Sequence, residues 1–162
     1  MYRIDRVPAS ADLASATRRL LDSLPEWFGI AEANDSYVES ATRLPGYLAV
    51  RDGEIAGLLL VNRHFAESAE VHLIAVAPQR HRDGAGRALV AAAEDDLRAD
   101  GCQLLQVKTL GPSRPDAGYA KTRLFYLSVG FLPLEETLEL WDENPCLIMV
   151  KPLLSEPLDP AR

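Results

Sequence analysis

Apolar residues recur along the chain with two spacings, one of three to four residues and one of two. The longer spacing is typical of helices with one buried face, and it predicts three helices: Ser10–Leu24, Gly84–Asp100 and Lys121–Val129. The side chain of Ser10 can cap the first helix, and Pro25 ends it. Gly101 and Gly130 end the other two. The less regular segment Glu26–Leu44 favours one or two short helices.

Seven further segments have the composition and length of strands: Tyr2–Val7, Tyr47–Arg51, Glu54–Phe65, Glu70–Val76, Leu104–Leu110, Phe131–Leu140 and Cys146–Lys151. Asp52-Gly53 predicts a hairpin between the second and the third. Hairpins come first and a crossover helix follows, so the order predicts a mixed sheet in one α/β domain. We expect this domain to cover residues 1–154 and a flexible, Pro- and charge-rich tail to cover residues 155–162.

The composition is that of a single globular domain. With 162 residues, of which 48% are apolar and 25% charged, the chain is long enough for a full hydrophobic core. No apolar run approaches the roughly 20 residues that span a bilayer, and the N-terminus lacks the apolar core of a signal peptide. Cys102 and Cys146 lie far apart without CxxC spacing. We therefore expect a reduced, cytoplasmic protein without a bound metal.

Charge and glycine are concentrated between Val76 and Leu89, where a strand end, a basic loop with two glycines and a helix start follow one another. Glycines let backbone N–H groups approach a ligand, and a helix N-terminus carries partial positive charge, so this junction suits a phosphate group. The segment has three arginines and one aspartate, although the whole chain has a net charge of −7. This contrast predicts one bound anion and disfavours a nucleic-acid surface.

Other motifs of phosphate binding and of catalysis are missing from the sequence. A dinucleotide fingerprint would need a third glycine at position 89, and a P-loop would need Gly-Lys-Ser/Thr. No Gly-x-Ser-x-Gly elbow of a serine hydrolase is present. The alternative for Gly84–Gly86 is a helix start that packs closely and binds no ligand.

Two motifs in this order of elements resemble the GCN5-related N-acetyltransferases (GNAT). The segment His81–Gly86 follows Val76–Pro78 and resembles the family's Arg/Gln-x-x-Gly-x-Gly/Ala loop, with histidine where the family usually has arginine or glutamine. The segment Tyr126–Phe131 matches Tyr-x-x-x-Gly-Phe. Many family members have asparagine seven residues before this tyrosine, where this chain has Tyr119. The resemblance covers residues 2–153.

The resemblance implies a mostly antiparallel sheet flanked by helices, with one splayed pair of parallel strands, and acetyl-CoA as co-substrate. It implies that the pyrophosphate is bound by the loop residues His81, Arg82, Asp83, Gly84, Ala85, Gly86 and Arg87. It further implies that backbone groups of Ile74 and Val76 pair with the pantetheine arm and face the thioester. Because Asp83 would repel phosphate, we expect it to cap the helix or to face solvent.

The same resemblance suggests three catalytic candidates. Tyr126 is the candidate acid, because a phenol stays protonated at neutral pH and can protonate a thiolate; Tyr119 is its substitute. Glu70 is the candidate base, with a pKa raised in a partly desolvated cleft. His72 is the alternative base, on the same face as Glu70 unless a bulge intervenes. The ordinary alternative for each is a structural role.

The acceptor side of the site is the least defined by sequence. Family members use the helices after the first strand and the segment before the last strand, which points to aromatic residues and nearby carboxylates: Trp27, Phe28, Tyr37, Tyr119, Trp141, Glu26, Glu32 and Glu135. Aromatic rings with carboxylates suit an ammonium group. The ordinary alternative is that the rings belong to the core and the glutamates to a solvated face.

Together these observations predict an acetyl-CoA-dependent N-acetyltransferase that acts on a primary amine of a small molecule by direct transfer. A protein N-terminus or lysine as acceptor, a longer acyl donor and a non-catalytic acyl-CoA-binding module stay open as alternatives. We expect no nucleic-acid or membrane partner. The sequence does not choose between a monomer and a homodimer.

Overall fold

The predicted elements form in the predicted order in a computed structural model, which describes residues 1–153. The elements are β1 (Arg3–Val7), α1 (Ala11–Asp22), α2 (Ala31–Ser40), β2 (Gly46–Arg51), β3 (Glu54–Arg63), β4 (Ser68–Val76), α3 (Ala85–Ala99), β5 (Leu104–Leu110), α4 (Ala117–Ser128), β6 (Leu132–Trp141) and β7 (Asn144–Pro152). The less regular segment after α1 contains a single helix, α2. The predicted end of the domain at residue 154 and the tail at 155–162 lie outside the described residues. No helix among the described residues is long and apolar enough to cross a membrane.

The seven strands form one sheet in the order β1-β2-β3-β4-β5-β7-β6. All neighbouring pairs are antiparallel except β4 and β5, which are parallel and connected through α3. Helices cover both faces, as the mixed α/β prediction requires. One core lies under α1 and α2 and includes Leu21, Leu58 and Leu73. The other lies under α3 and α4 and includes Leu89, Leu105 and Phe131.

The parallel pair separates halfway along its length. β4 and β5 pair only over Ser68–Val71 and Leu104–Val107. Beyond these residues β4 continues its ladder with β3 up to Val76, and β5 continues its ladder with β7 up to Leu110. A wedge therefore opens between the two strands towards their C-terminal ends, and the predicted splayed pair is confirmed.

A β-bulge lies in β4 at the start of this wedge. Val71 pairs with Val61 and Leu73 pairs with Leu60, so His72 is the extra residue. Val71 belongs to the core under α3 and α4, whereas Leu73 belongs to the core under α1 and α2. The bulge therefore reverses which face of the sheet the alternate side chains of β4 occupy.

Ser10 caps α1 as predicted, since its hydroxyl oxygen accepts a hydrogen bond from the N–H of Leu13 at 3.1 Å. We expect Ser10→Ala to lower the free energy of unfolding by about 1 kcal/mol, because one N–H of the first turn loses its partner. Urea denaturation measures the change. The control Ser15→Ala, at an exposed position within α1, should change stability by less than about 0.5 kcal/mol. Equal losses in the two variants would contradict the capping role.

Candidate active site

The loop between β4 and α3 presents backbone N–H groups at the open end of the wedge. α3 begins after Gly84 without any side-chain cap, so the N–H groups of its first turn are free of side-chain partners. Gly84 has φ +86° and Arg82 has φ +63°, both in the left-handed region. A side chain on Gly86 would place its Cβ 3.1 Å from the ring of Phe125 in α4, so glycine lets the two helices approach. This geometry suits an anion at a helix N-terminus.

The charged side chains of the loop differ in their partners. Arg87 donates a weak hydrogen bond to the hydroxyl of Ser128, at 3.3 Å. Asp83 does not cap α3; its exposed carboxylate points to β1 and β2, so of the two expectations for this residue the solvent-facing one holds. The hydrogen bond from Tyr2, reinforced by the charge of Arg51, lowers the pKa of Asp83. The negative charge in the loop is therefore neutralised away from the helix N-terminus.

His81 connects the loop to the end of β4. Its Nε2–H donates a hydrogen bond to the carbonyl oxygen of Val76 at 2.7 Å, because a carbonyl can only accept. The ring of Trp27 meets the His81 ring edge-on, with centroids 5.3 Å apart. Histidine at this position thus joins the loop both to β4 and to the segment between α1 and α2.

The free edge of β4 lines one side of the wedge. Ala77 N–H bonds to Ala56 in β3, and in an antiparallel ladder such bonds recur at every second residue. The backbone groups of Ile74 and Val76 therefore point away from β3 and into the wedge. The carbonyl of Val76 is taken by His81, which leaves its N–H and both groups of Ile74 for another partner.

Glu70 lies buried at the closed end of the wedge, where β4 still pairs with β5. Its carboxylate accepts hydrogen bonds from Gln106 at 2.8 Å and from Lys108 and His64, each at 3.0 Å. Burial alone would raise the pKa of Glu70, but the hydrogen bonds from His64 and Lys108 outweigh burial and the pKa is lowered. The expectation of a raised pKa was wrong, because the sequence did not reveal these three donors.

His72 is the extra residue of the β4 bulge, and its side chain contacts α2. Its Nε2 is 3.0 Å from the hydroxyl of Ser40, which itself donates to the carbonyl of Ser36. The Ser40 oxygen therefore accepts from His72, and in the neutral ring the lone pair is on Nδ1. Burial lowers the pKa of His72, although the charge of Glu70 opposes the shift.

Tyr126 points inward from α4 and is 5% exposed. Its ring packs between those of Phe125 and Phe131, and its hydroxyl has no hydrogen-bond partner among the described residues. Burial raises the pKa of Tyr126, and the charged forms of Tyr37 and Tyr119 raise it further. Tyr126 thus stays protonated at neutral pH.

The hydroxyl of Tyr119, unlike that of Tyr126, has a hydrogen-bond partner within residues 1–153. Its hydroxyl donates to the carbonyl of Trp27 at 2.7 Å, and burial raises its pKa to about 12. Gly118 beside it lets the indole approach, since a Cβ there would lie 3.2 Å from the Trp27 Nε1. The N-terminus of α4 and the segment between α1 and α2 therefore touch through these residues. Tyr119 is less suited than Tyr126 to release a proton.

The structure brings together some of the predicted acceptor residues and not others. Phe28, Tyr37 and His72 form a row of edge-on rings, with centroid distances of 6.0 Å and 5.6 Å. Trp141 lies apart, at the β6–β7 turn, and has no ring contact with these residues in the described part of the chain. The three predicted carboxylates are exposed to solvent: Glu26, Glu32 and Glu135.

Four side chains that contact Glu70 or His72 were not predicted from the sequence: Gln106, Lys108, Ser40 and His64. Gln106 and Lys108 are the two charged or amide side chains in the otherwise apolar first five residues of β5, and alternation places them on one face. That pattern could have indicated a polar contact with a neighbouring strand. Ser40 and His64 had no comparable signal, because their contacts depend on how α2 and the end of β3 approach β4.

Comparisons with known proteins agree with this geometry. A family model described as "Acetyltransferase (GNAT) family" matches residues 13–131. A solved structure of a GNAT-family acetyltransferase from Desulfovibrio desulfuricans is 24% identical, with a TM-score of 0.81, and the match covers 95% of this chain and 100% of that one. No curated protein matches the sequence.

Two further structures have the same fold. The ribosomal-protein-S18-alanine N-acetyltransferase from Escherichia coli is 20% identical, with a TM-score of 0.76 and 98% of both chains covered. A GNAT-family acetyltransferase from Elizabethkingia anophelis, solved with acetyl-CoA bound, is 18% identical, with a TM-score of 0.69, and the match covers 93% of this chain and 97% of that one. At these identities the likeness shows the fold alone.

We expect Glu70→Gln to lower the free energy of unfolding by about 2 kcal/mol at pH 7, because Lys108 and His64 lose the charge that they face. The pKa of Glu70 is lower in the folded chain than its ordinary value of 4.5. Its contribution is therefore present above pH 4.5 and is lost as the pH falls through the folded pKa. Urea denaturation at pH 7 and at lower pH measures both effects.

The control for this variant is Glu67→Gln, an exposed glutamate just before β4. It should change stability by less than about 0.5 kcal/mol at either pH. If Glu70→Gln were as stable as the control at pH 7, the buried contacts would not stabilise the fold.

Proposed function

The chain belongs to the GNAT family of acetyltransferases, and on that basis we propose that it transfers the acetyl group of acetyl-CoA directly to a primary amine of a small molecule. The observation that carries this proposal is the wedge, which leads from the uncapped start of α3 along the free edge of β4 to His72. The neutral imidazole of His72 can take a proton from an amine acceptor. The phenol of Tyr126, which stays protonated, can give a proton to the thiolate leaving group.

The residues of the wedge fit acetyl-CoA. The free N–H groups at the start of α3, with Arg82 and Arg87 nearby, suit its phosphate groups. The backbone groups of Ile74 and the N–H of Val76 suit the amides of its pantetheine arm. When bound, acetyl-CoA supplies the thioester whose carbonyl carbon the amine attacks.

The contacts favour His72 over Glu70 as the general base. Among residues 1–153, no hydrogen-bond partner faces Nδ1 of His72, and the pKa of His72 is lowered. The ring is therefore neutral at pH 7 and can take a proton from the acceptor ammonium, directly or through one water. Glu70 already accepts hydrogen bonds from three side chains. We therefore assign Glu70 an electrostatic and structural role beside the base.

Tyr126 is the residue proposed to protonate the leaving thiolate. As the nitrogen–carbon bond forms and the carbon–sulfur bond breaks, the phenol O–H gives its proton to sulfur. The attacking nitrogen loses its second proton as the amide forms, which restores the phenol directly or through water, and the imidazolium of His72 releases its proton to solvent. Burial, which raises the pKa of Tyr126, keeps the phenol protonated until sulfur leaves.

The row of aromatic rings that ends at His72 supports the proposal that the acceptor is a primary amine. Phe28 and Tyr37 offer ring edges and faces beside the proposed base, and such surfaces suit an alkyl ammonium. The structural neighbours include both a ribosomal-protein-S18-alanine N-acetyltransferase and an aminoglycoside 6′-acetyltransferase. Since one fold serves both kinds of acceptor, only a substrate panel can separate a small molecule from a peptide.

The direct test is release of free thiol from acetyl-CoA, measured against a panel of small amines and short peptides. We expect turnover with at least one small amine. Tyr126→Phe should lower kcat by about 10- to 100-fold while CoA binding is kept, because only the proton donor is lost. Binding of acetyl-CoA without turnover on any amine or peptide would favour a non-catalytic module. Turnover with peptides and with no small amine would indicate that the acceptor is a protein amine.

A second test addresses the base. The lowered pKa of His72 places the acidic limb of kcat/KM below pH 6.5, since the imidazole must lose its proton to act. We expect His72→Gln to lower kcat/KM by about 100-fold and to remove that limb. Glu70→Gln should keep the acidic limb in its pH profile of kcat/KM, because His72 is still present. An unchanged acidic limb in His72→Gln would show that another group is the base.

A further inference from the structure

The carboxylate of Asp83 connects the phosphate-binding loop to the far edge of the sheet. It accepts a hydrogen bond from the hydroxyl of Tyr2 at 2.7 Å and one from the guanidinium of Arg51 at 2.9 Å. Tyr2 immediately precedes β1, and Arg51 is the last residue of β2. Arg51 also lies over the Tyr2 ring, 5.6 Å from its centroid. The three side chains form one cluster, which we call the Asp83 clamp.

The backbone on both sides of Asp83 is in the left-handed region, which external contacts help to hold. Arg82 before it and Gly84 after it both have positive φ, +63° and +86°. For a side chain as large as arginine, the left-handed region costs about 1 kcal/mol and persists only where surrounding contacts hold it. The contacts of Asp83 to β1 and β2 come from residues more than thirty positions away in sequence, so they tie this strained backbone to the body of the sheet.

The clamp also decides where the negative charge of the loop lies. A carboxylate free to turn towards the start of α3 would repel a phosphate group bound there. With Arg51 at 2.9 Å and Arg80 at 3.9 Å, the charge of Asp83 is held beside two guanidinium groups. The N–H groups of the first turn of α3 remain available to an anion.

We propose that Tyr2 and Arg51 are positioning residues for the phosphate end of acetyl-CoA, acting through Asp83 on the loop 81–86. Neither residue reaches the wedge where the chemistry takes place, so the clamp sets the affinity for the nucleotide end and leaves the transfer step unchanged. This inference rests on the proposed function, because it requires that the loop bind a phosphate of acetyl-CoA.

The chain offers a matched control for the Tyr2 hydroxyl. Tyr47 makes the same kind of hydrogen bond, to Asp96 at 2.8 Å, but in the last turns of α3, away from the loop. Tyr2→Phe and Tyr47→Phe each remove one hydroxyl from one carboxylate. Any difference between them in ligand binding therefore reports the position of the hydrogen bond and not its loss as such.

The experiment compares calorimetric binding of CoA and of S-acetylpantetheine, which lacks the nucleotide and pyrophosphate, together with steady-state kinetics. We expect Tyr2→Phe to weaken CoA binding about threefold to tenfold, the range for one exposed hydrogen bond to a charged group. Binding of S-acetylpantetheine and kcat at saturating acetyl-CoA should stay within about twofold. In an Asp83→Ala background, Tyr2→Phe should have no further effect, because both act through the same carboxylate.

Three outcomes would overturn the clamp: unchanged CoA binding in Tyr2→Phe, an equal loss in Tyr47→Phe, or an equal loss for S-acetylpantetheine. CoA binding by the wild-type protein distinguishes failure of this inference from failure of the proposed function. If wild-type protein binds CoA and Tyr2→Phe binds it equally well, the clamp alone fails. If wild-type protein binds neither CoA nor acetyl-CoA, both proposals fail together.

Discussion

The separation of β4 from β5 after four paired residues is the constraint on which the site depends. Up to Val71 the two strands share a parallel ladder, and beyond it each is held only by its other neighbour. The bulge at His72 falls at this point, where the imidazole contacts Ser40 of α2. A continuous ladder would have satisfied the backbone groups of Ile74 and closed the space between the strands. The wedge exists because this pairing is not made.

Burial accounts for the protonation of the two catalytic candidates. Removing a group from water disfavours its charged form, so burial raises the pKa of Tyr126 and lowers that of His72. At neutral pH the phenol keeps its proton and the imidazole lacks one. Glu70 experiences the same burial but has three hydrogen-bond donors, so it alone of the three stays charged. The same burial thus leaves one protonated phenol, one neutral imidazole and one charged carboxylate.

Local patterns were sufficient for most of the fold. The spacing of apolar residues predicted the helices, Asp52-Gly53 predicted the hairpin between β2 and β3, and Ser10 was recognised as a cap. Each of these features depends on residues that are close in sequence, where periodicity, turn chemistry and capping operate. The glycines of the loop before α3 were recognised for the same reason.

The sequence by itself therefore determined the order of elements, the mixed sheet and the place of the glycine-containing loop before α3, because short-range chemistry specifies all three. Only the tertiary structure decided the state of Glu70, whose pKa is lowered by hydrogen bonds from His64 and from Lys108, the second of which lies 38 residues away in β5. It also decided that Asp83 bonds to Tyr2 and not to its own helix. Packing brings these partners together across the sheet, and no local pattern records which of them will meet.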